Sequence, residues 1–319
     1  MKKNIRNILA TALLIAGNAV AASAQNKYVG GDISLLPTNE AWGARYLDKD
    51  GRTINDLLSF FKQEGGMNAM RVRLFVAPEK YDGTDKDENA CQNLEYVKAL
   101  GKRIKEAGLE FMLDFHYSDT WADPGKQWTP ADWAQLSDDE LQTKIYEYTK
   151  NCLNTLKEAG AEPDMIQTGN EISYGMLWGP YQADESQQKR CYTNSPAANW
   201  TRFTNLLKQA GRACREVCPQ AEIILHTERA AQVNVLTNFY DMMEKAGVDY
   251  DIIGLSYYPI WHNTIGTLET AISTLETKYA DKQIMIVEVG APYSWLPTDK
   301  EYTCLLYTSP SPRDYAASR

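Results

Sequence analysis

The chain has 319 residues, of which 44% are hydrophobic, which is ample for a large folded core. It carries 42 acidic and 33 basic residues, for a formal net charge of −9. This balance lacks the basic surface that a nucleic-acid backbone requires, so we expect no nucleic-acid partner; it is compatible with a neutral substrate.

The first 25 residues show the three-part pattern of an export signal. A basic start precedes a short apolar stretch, and Ala22-Ser23-Ala24 is a small-x-small cleavage pattern before Gln25. We expect residues 1–24 to be removed and the mature protein to be secreted or periplasmic. An N-terminal membrane anchor is the alternative, but the apolar stretch is short for one. No later segment has the length and hydrophobicity of a membrane span.

Short apolar runs and longer amphipathic runs alternate from residue 28 onwards. The apolar runs predict strands at 28–36, 69–75, 109–117, 164–171, 221–228, 250–258 and 283–290. Helical spacing of apolar residues predicts helices that include 53–65, 94–108, 199–217 and 267–280. Glycines at 65–66, 108 and 160 mark three helix ends that lead into the next strand.

This alternation, without any shift in composition, predicts one α/β domain of parallel strands over residues 25–302. Seven strand–helix units indicate a (β/α)₈ TIM barrel. The doubly wound alternative lacks support because no Gly-rich phosphate turn follows the first strand.

The eighth strand of such a barrel has no candidate in the sequence. The last stretch, "CLLYTSPSPRDYAASR", is rich in serine and proline and differs in character from what precedes it. We expect the chain to be truncated before strand 8, with a non-native tail at 303–319. A native disordered tail is the alternative.

Six cysteines are few for an exported chain of this size, so no disulfide framework is needed to build the core. Cys214 and Cys218 are four apart on a predicted helix, where a bridge is disfavoured. Cys152 and Cys191 remain a possible pair.

Polar residues stand at the carboxyl ends of six predicted strands. They are Arg71, Arg73, Asp114, His116, Asn170, Glu171, His226, Glu228, Tyr257, Tyr258 and Glu288. In a parallel barrel these ends line one concave mouth, where active sites lie. Glu171 and Glu288 come from predicted strands 4 and 7, which face each other across that mouth. Two carboxyl groups about 5 Å apart are what retaining glycoside hydrolysis requires.

Aromatic residues around this mouth favour a sugar substrate, because flat rings pack on the apolar faces of pyranose units. The candidates are Trp121, Trp128, Trp133, Trp178, Tyr257, Tyr258 and Trp261. About half of them are expected to serve only in loop packing. Trp121 and Trp178 are the favoured sugar contacts.

The sequence leaves other kinds of site to consider beside a pair of carboxylates. His116, His226 and His262 all lie near strand ends, so a metal-dependent barrel hydrolase or sugar isomerase is an alternative. No His-x-His pair stands on the first strand, however, and no Gly-x-Ser-x-Gly motif suggests a serine nucleophile. We therefore expect no metal and no cofactor. A glycan-binding protein without catalysis is a further alternative, against which the two carboxylates speak.

The motifs "MRVRLFVAP", "LDFHYSDTWADPGKQWTPADW", "IQTGNEISYGMLWG" and "GLSYYPIW" resemble those of family 53 glycoside hydrolases, the endo-β-1,4-galactanases. The resemblance covers about residues 28–295. It implies a secreted retaining enzyme that cleaves β-1,4-galactan, the side chains of pectin, with Glu171 as general acid/base and Glu288 as nucleophile. Another retaining barrel β-glycanase, of the xylanase or mannanase kind, is the alternative.

The resemblance also implies roles for the surrounding side chains. Asn170 would hold the sugar 2-hydroxyl, and one of Arg71 and Arg73, together with Tyr258, would hold Glu288 ionised. The other implied substrate-binding residues are His116, Trp121, Asp123, Trp178, His226 and Trp261. The expected partner is the polysaccharide alone, bound by a monomer. One departure from the family is that its strand 8, with a Trp and a Glu-Pro, has no counterpart here.

Overall fold

The computed structural model describes residues 27–290. Its main sheet has seven parallel strands in the order β1 (Gly30–Asp32), β4 (Ala69–Leu74), β5 (Glu110–Phe115), β6 (Met165–Thr168), β7 (Glu222–Thr227), β8 (Ile252–Tyr257) and β9 (Gln283–Val289). Each strand pairs with the next one along the chain, which is the arrangement of a (β/α) barrel. All seven predicted strands are present.

Helices separate these strands as the sequence predicts. The longer ones are α2 (Leu57–Gln63), α3 (Leu94–Glu106), α4 (Asp138–Glu158), α5 (Ala197–Val217), α6 (Val233–Ala246) and α8 (Ile265–Lys278). Two short helices, α1 (Leu36–Ala41) and α7 (Pro259–His262), lie in the loops after β1 and β8. The helix ends predicted at Gly66, Gly108 and Gly160 are confirmed, since all three have positive φ.

The segment before α2 differs from its prediction. The sequence predicts a helix from residue 53, but Thr53–Ile54 form strand β3, which pairs antiparallel with β2 (Tyr46–Leu47). The helix begins only after Asp56, whose side chain accepts a hydrogen bond from the N–H of Ser59. A local cap therefore overrides the apolar spacing that extended the predicted helix.

The core has two layers. The larger cluster packs the strands against the helices, and a smaller one holds Ala69, Met112, Met165, Ile224 and Ile252 near the beginnings of the strands. β4 and β8 are buried along their whole length, whereas six residues of β9 are half-buried and the seventh is exposed. Within residues 27–290, β1 and β9 each pair on one side only. The predicted leader and tail lie outside the described residues.

No helix between residues 27 and 290 is both long enough and apolar enough to span a bilayer. The five cysteines in this part of the chain are all free. The disfavoured Cys214–Cys218 bridge is accordingly not formed, and neither is the Cys152–Cys191 pair that the sequence left open.

Candidate active site

Glu171 follows strand β6 in a turn of unusual backbone conformation. Gly169 has φ +111°, and a Cβ there would stand 2.7 Å from Cγ2 of Ile172, so this position requires glycine. Glu171 itself has φ +48°, a left-handed conformation that is uncommon for residues other than glycine. Its backbone N–H donates to Nδ1 of His226 at 3.3 Å, which helps to hold the turn. The turn directs the Glu171 side chain into the barrel mouth.

The Glu171 carboxyl is in surroundings that favour its protonated form. Burial raises its pKa well above the usual glutamate value, and the negative charges of Glu288 and Glu228 raise it further. One hydrogen bond opposes this shift, because Oε1 accepts from the hydroxyl of Ser256 at 2.6 Å. The balance leaves a carboxyl group that can hold a proton where an ordinary glutamate has lost it.

Glu288, on β9, has the opposite environment. Burial works against its charge, but Nη2 of Arg71 lies 2.7 Å from its Oε1, and the Tyr258 hydroxyl donates to its Oε2 at 2.9 Å. These contacts hold the pKa of Glu288 below the usual value. Its side chain is 18% exposed. The resemblance implied Tyr258 together with one of Arg71 and Arg73 for this contact, and in the structure the arginine beside Glu288 is Arg71.

Arg71 is the centre of a buried network of charges beneath the cleft. Its guanidinium also lies 2.9 Å from Asp32 and 2.7 Å from Asp114, and it donates to Oδ1 of Asn170 at 2.9 Å. Asp114 is completely buried, and its pKa falls to about 2 because the attraction of Arg71 and the nearby His116 exceeds the penalty of burial. The network fixes the guanidinium against Glu288.

The two candidate carboxylates are close together. Their oxygens and a ring nitrogen of His226 all lie within 4.8 Å of one another. A separation near 5 Å is typical of retaining glycosidases, while inverting enzymes need more room for a water molecule. A protonated carboxyl beside an ionised one is also the charge state that such a mechanism requires.

The same three groups are the one cluster within residues 27–290 that has the spacing of a metal site. Their donor atoms already have protein partners: Arg71 and Tyr258 for Glu288, and Ser256 for Glu171. The Arg71 cation would also repel a metal ion held by Glu288. These surroundings favour acid–base chemistry over a metal centre at this cluster.

The aromatic residues divide into exposed and buried groups. Trp261 is 62% exposed, whereas Trp121 is half-buried, donates to Asp87 and has the Arg73 guanidinium 4.4 Å from its ring centroid. Trp178 is 0% exposed, and its ring is stacked with Arg190 at 4.3 Å. The enclosed ring packs the loop in this structure, and a sugar contact by Trp178 stays a prediction.

Two predicted substrate contacts are also buried behind the cleft. The side chain of His116 is 0% exposed; its Nε2 lies 3.1 Å from Asp114, and its Nδ1 accepts from the N–H of Ala122. His226 is 0% exposed as well and contacts Asn170 and Ser256. Both rings support the carboxylate network from below, and their place among the substrate-binding residues stays a prediction.

The remaining predicted residues stay at the mouth. Asp123 is half-buried, and its Oδ1 accepts from two backbone N–H groups of its own loop. Asn170 is 5% exposed, and its amide donates to the carbonyl of Ala122. Arg73 is 6% exposed and lies 3.5 Å from Asp32.

Sequence reasoning missed several residues of the site. Asp32 stands at the end of β1, so the strand-end criterion that found the other residues could have found it. Ser256 lies inside the apolar run of β8, opposite Glu288 in the strand register, and only its two-residue spacing from Tyr258 hints at the same face. Gln127 donates to the carbonyl of Asn170 at 2.8 Å from a loop distant in sequence.

Comparison with known proteins agrees with this geometry. The profile described as "Glycosyl hydrolase family 53" matches residues 28–318. The chain belongs to glycosyl hydrolase family 53. It is 35% identical over 304 residues to the arabinogalactan endo-beta-1,4-galactanase of Cellvibrio japonicus, an alignment that covers 92% of this chain and 73% of that protein. The endo-beta-1,4-galactanase of Bacillus subtilis is 31% identical over 83% of this chain and 57% of its own length.

Solved structures of the same family share the fold. The Ignisphaera aggregans GH53 catalytic domain matches with TM-score 0.69 and 36% identity over 81% of this chain and 66% of that one. A structure of fungal beta-1,4-galactanases matches with TM-score 0.69 and 30% identity over 82% of this chain and 74% of that one. These matches confirm the barrel fold. The chain spans just under two thirds of the first of these two structures.

Proposed function

We propose that this family 53 protein is an endo-acting glycoside hydrolase that cleaves β-1,4-galactan with retention of anomeric configuration. Glu171 is the general acid/base and Glu288 the nucleophile. The observation that supports this assignment best is the pair of opposite pKa shifts on two carboxyl groups within 4.8 Å of each other.

In the first step an oxygen of Glu288 attacks the anomeric carbon while the glycosidic C–O bond breaks. Glu171 transfers its proton to the departing oxygen, and a covalent glycosyl–enzyme ester remains. Arg71 and Tyr258 keep Glu288 ionised and aimed before the attack. Asn170 would donate an amide N–H to the sugar 2-hydroxyl, an interaction that strengthens in the transition state.

In the second step Glu171, now ionised, removes a proton from water, whose oxygen attacks the anomeric carbon. The ester bond breaks, and Glu288 leaves as a carboxylate. Ester formation removes the negative charge of Glu288, which is the second largest cause of the raised pKa of Glu171. The loss of this repulsion helps Glu171 to change from acid to base.

The substrate class rests on the printed activities of relatives. The Cellvibrio japonicus and Bacillus subtilis proteins are both named endo-beta-1,4-galactanases. The purified protein should release oligosaccharides from linear β-1,4-galactan and leave xylan and mannan intact. Cleavage of xylan or mannan without cleavage of galactan would contradict the galactan assignment but leave the two glutamate roles in place. Full activity in the presence of a chelator is expected of this mechanism and not of a metal enzyme.

Three further proposals concern export, oligomeric state and the C-terminal segment. The leader pattern supports secretion or export to the periplasm, and N-terminal sequencing of the mature protein should begin at Gln25. Size-exclusion chromatography should show a monomer. The segment from residue 303 onwards is proposed to be non-native. The family match extends to residue 318, so the genomic reading frame beyond about residue 300 decides between a native and a non-native segment.

A further inference from the structure

A buried serine connects the candidate acid/base to a histidine that the reaction does not use directly. The hydroxyl of Ser256 lies 2.8 Å from Nε2 of His226 and 2.6 Å from Oε1 of Glu171. Ser256 and His226 are both 0% exposed, so neither exchanges these contacts for solvent. Glu171 lies in the turn directly after β6, His226 on β7 and Ser256 on β8. Together they form a short chain of hydrogen bonds below the cleft.

The surroundings of His226 decide the direction of this chain. The backbone N–H of Glu171 donates to Nδ1 at 3.3 Å. Asn170 Oδ1 lies 3.1 Å from Nδ1, but it already accepts from Arg71 at 2.9 Å and Gln167 at 3.3 Å. Two donors satisfy both lone pairs of that oxygen, so it does not need a third donor from Nδ1. The remaining proton of the neutral ring therefore sits on Nε2 and is donated to Ser256.

The surroundings of His226 favour its neutral form. Burial lowers its pKa to about 4, a shift that the Arg71 cation reinforces and the anions Glu288 and Asp114 oppose. The one N–H of the neutral ring donates to the Ser256 oxygen, so the Ser256 hydroxyl proton is not directed at His226. It is donated to Glu171.

We propose that Ser256, held by neutral His226, is a positioning residue that donates its hydroxyl proton to Glu171 and thereby helps the second step of the reaction at the expense of the first. This inference rests on the proposed role of Glu171 as acid/base. A hydrogen bond to the charged form favours a carboxylate, and the base of the second step is a carboxylate.

The other charged groups that face Glu171 act in the opposite direction. Glu288 of β9, Glu228 after β7 and Asp123 in the loop after β5 are all acids that raise the pKa of Glu171. Without the Ser256 hydroxyl the carboxyl would keep its proton more strongly. Donation in the first step would remain possible, but removal of a proton from water in the second step would become slower.

The test compares Ser256→Ala with Ser256→Thr, which keeps the hydroxyl. In Ser256→Ala the alkaline limb of the kcat/KM profile should move upward by about one pH unit. A galactobioside with a dinitrophenolate leaving group needs no acid in the first step, so its kcat reports the second. That kcat should fall about tenfold in Ser256→Ala, with a burst of dinitrophenolate, and recover in Ser256→Thr.

Thr204→Ala is a matched control. It removes another buried hydroxyl, which donates to the carbonyl of Trp200 within the same helix, α5. It should lower the melting temperature without moving the pH profile or producing a burst. A similar pH shift in both variants would mean that general loosening is the cause and would overturn the inference.

A measurement on the unaltered protein keeps the inference testable if Ser256→Ala does not fold. The chain has three histidines, so ¹⁵N spectra of the labelled protein are simple to assign. His226 should be neutral at pH 7 with its proton on Nε2; a proton on Nδ1 would overturn the inference. An active Glu171→Gln variant would instead refute the proposed function itself, whereas an unshifted Ser256→Ala profile with inactive Glu171→Gln would refute only the role of Ser256.

Discussion

Nη2 of Arg71 lies 2.7 Å from Oε1 of Glu288, and the same guanidinium contacts Asp114 and Asp32 on its other sides. One buried cation thus serves three carboxylates. Such a group is costly to remove, since loss of one partner leaves the others buried without compensation. Arg71 consequently ties the charge state of the candidate nucleophile to the stability of the barrel mouth.

Arg71→Lys should impair catalysis more than substrate binding. A lysine is a single point charge and lacks the guanidinium fork that contacts Glu288, Asp114 and Asp32, so the substitution is not conservative here. The pKa of Glu288 should rise, and the acid limb of the kcat/KM profile should move to higher pH. Arg212→Lys on the exposed face of α5 is the control, with no expected shift. An unchanged acid limb in Arg71→Lys would contradict the role of Arg71.

Replacement of either candidate catalytic glutamate should strongly lower turnover. Glu171→Gln and Glu288→Gln should each lower kcat on galactan by about 10³-fold or more while binding is largely retained. Glu158→Gln, at the exposed end of α4, should be fully active. Unchanged turnover in either of the first two variants would refute the catalytic assignment.

Their melting temperatures at pH 8 should move in opposite directions. The pKa of Glu171 is raised on folding, so its ionisation above the unfolded-state pKa opposes the folded state, and Glu171→Gln should raise the melting temperature. The pKa of Glu288 is depressed, so its contribution is present above the unfolded-state pKa and lost as pH falls. Glu288→Gln should therefore lower the melting temperature, and equal shifts of one sign would contradict the two environments.

The pH dependence of kcat/KM should be bell-shaped and wider than two ordinary glutamates would give. Activity falls on the acid side as Glu288 is protonated, below the usual glutamate value of 4.5, and on the alkaline side as Glu171 loses its proton, well above that value. Initial rates on galactan between about pH 3 and pH 10 would measure both limbs. An alkaline limb near pH 4.5 would show that Glu171 is not the acid.

Two tryptophans should respond differently to removal. Trp261→Ala should raise KM for long galactan chains with little change in melting temperature, because the ring is 62% exposed. Trp178→Ala should cost about 3–5 kcal/mol of unfolding free energy, because it leaves a cavity where a fully enclosed ring stood. Isothermal titration and thermal unfolding separate the two effects. A stable Trp178→Ala variant with weakened galactan binding would instead support a sugar contact by Trp178.

Much of the fold was predictable because its signals are local. Alternating apolar runs and helical spacing identified all seven strands, and the glycine helix ends followed from the need for positive φ. The hairpin of β2 and β3 escaped prediction because two-residue strands carry no period, and because the Asp56 cap that delays α2 lies inside an apparently helical pattern.

The sequence by itself determined which polar groups come to the barrel mouth, because each lies in an apolar strand or directly after its carboxyl end. Glu171, Glu288, Arg71 and Tyr258 were found in this way. Only the tertiary structure decided how they are charged, because burial and the nearness of Arg71, Glu228 and Ser256 depend on side chains from different strands. It also decided that Trp178, His116 and His226 are enclosed. A pKa and an exposed face are properties of the packed neighbours, and residue order alone does not specify which neighbours those are.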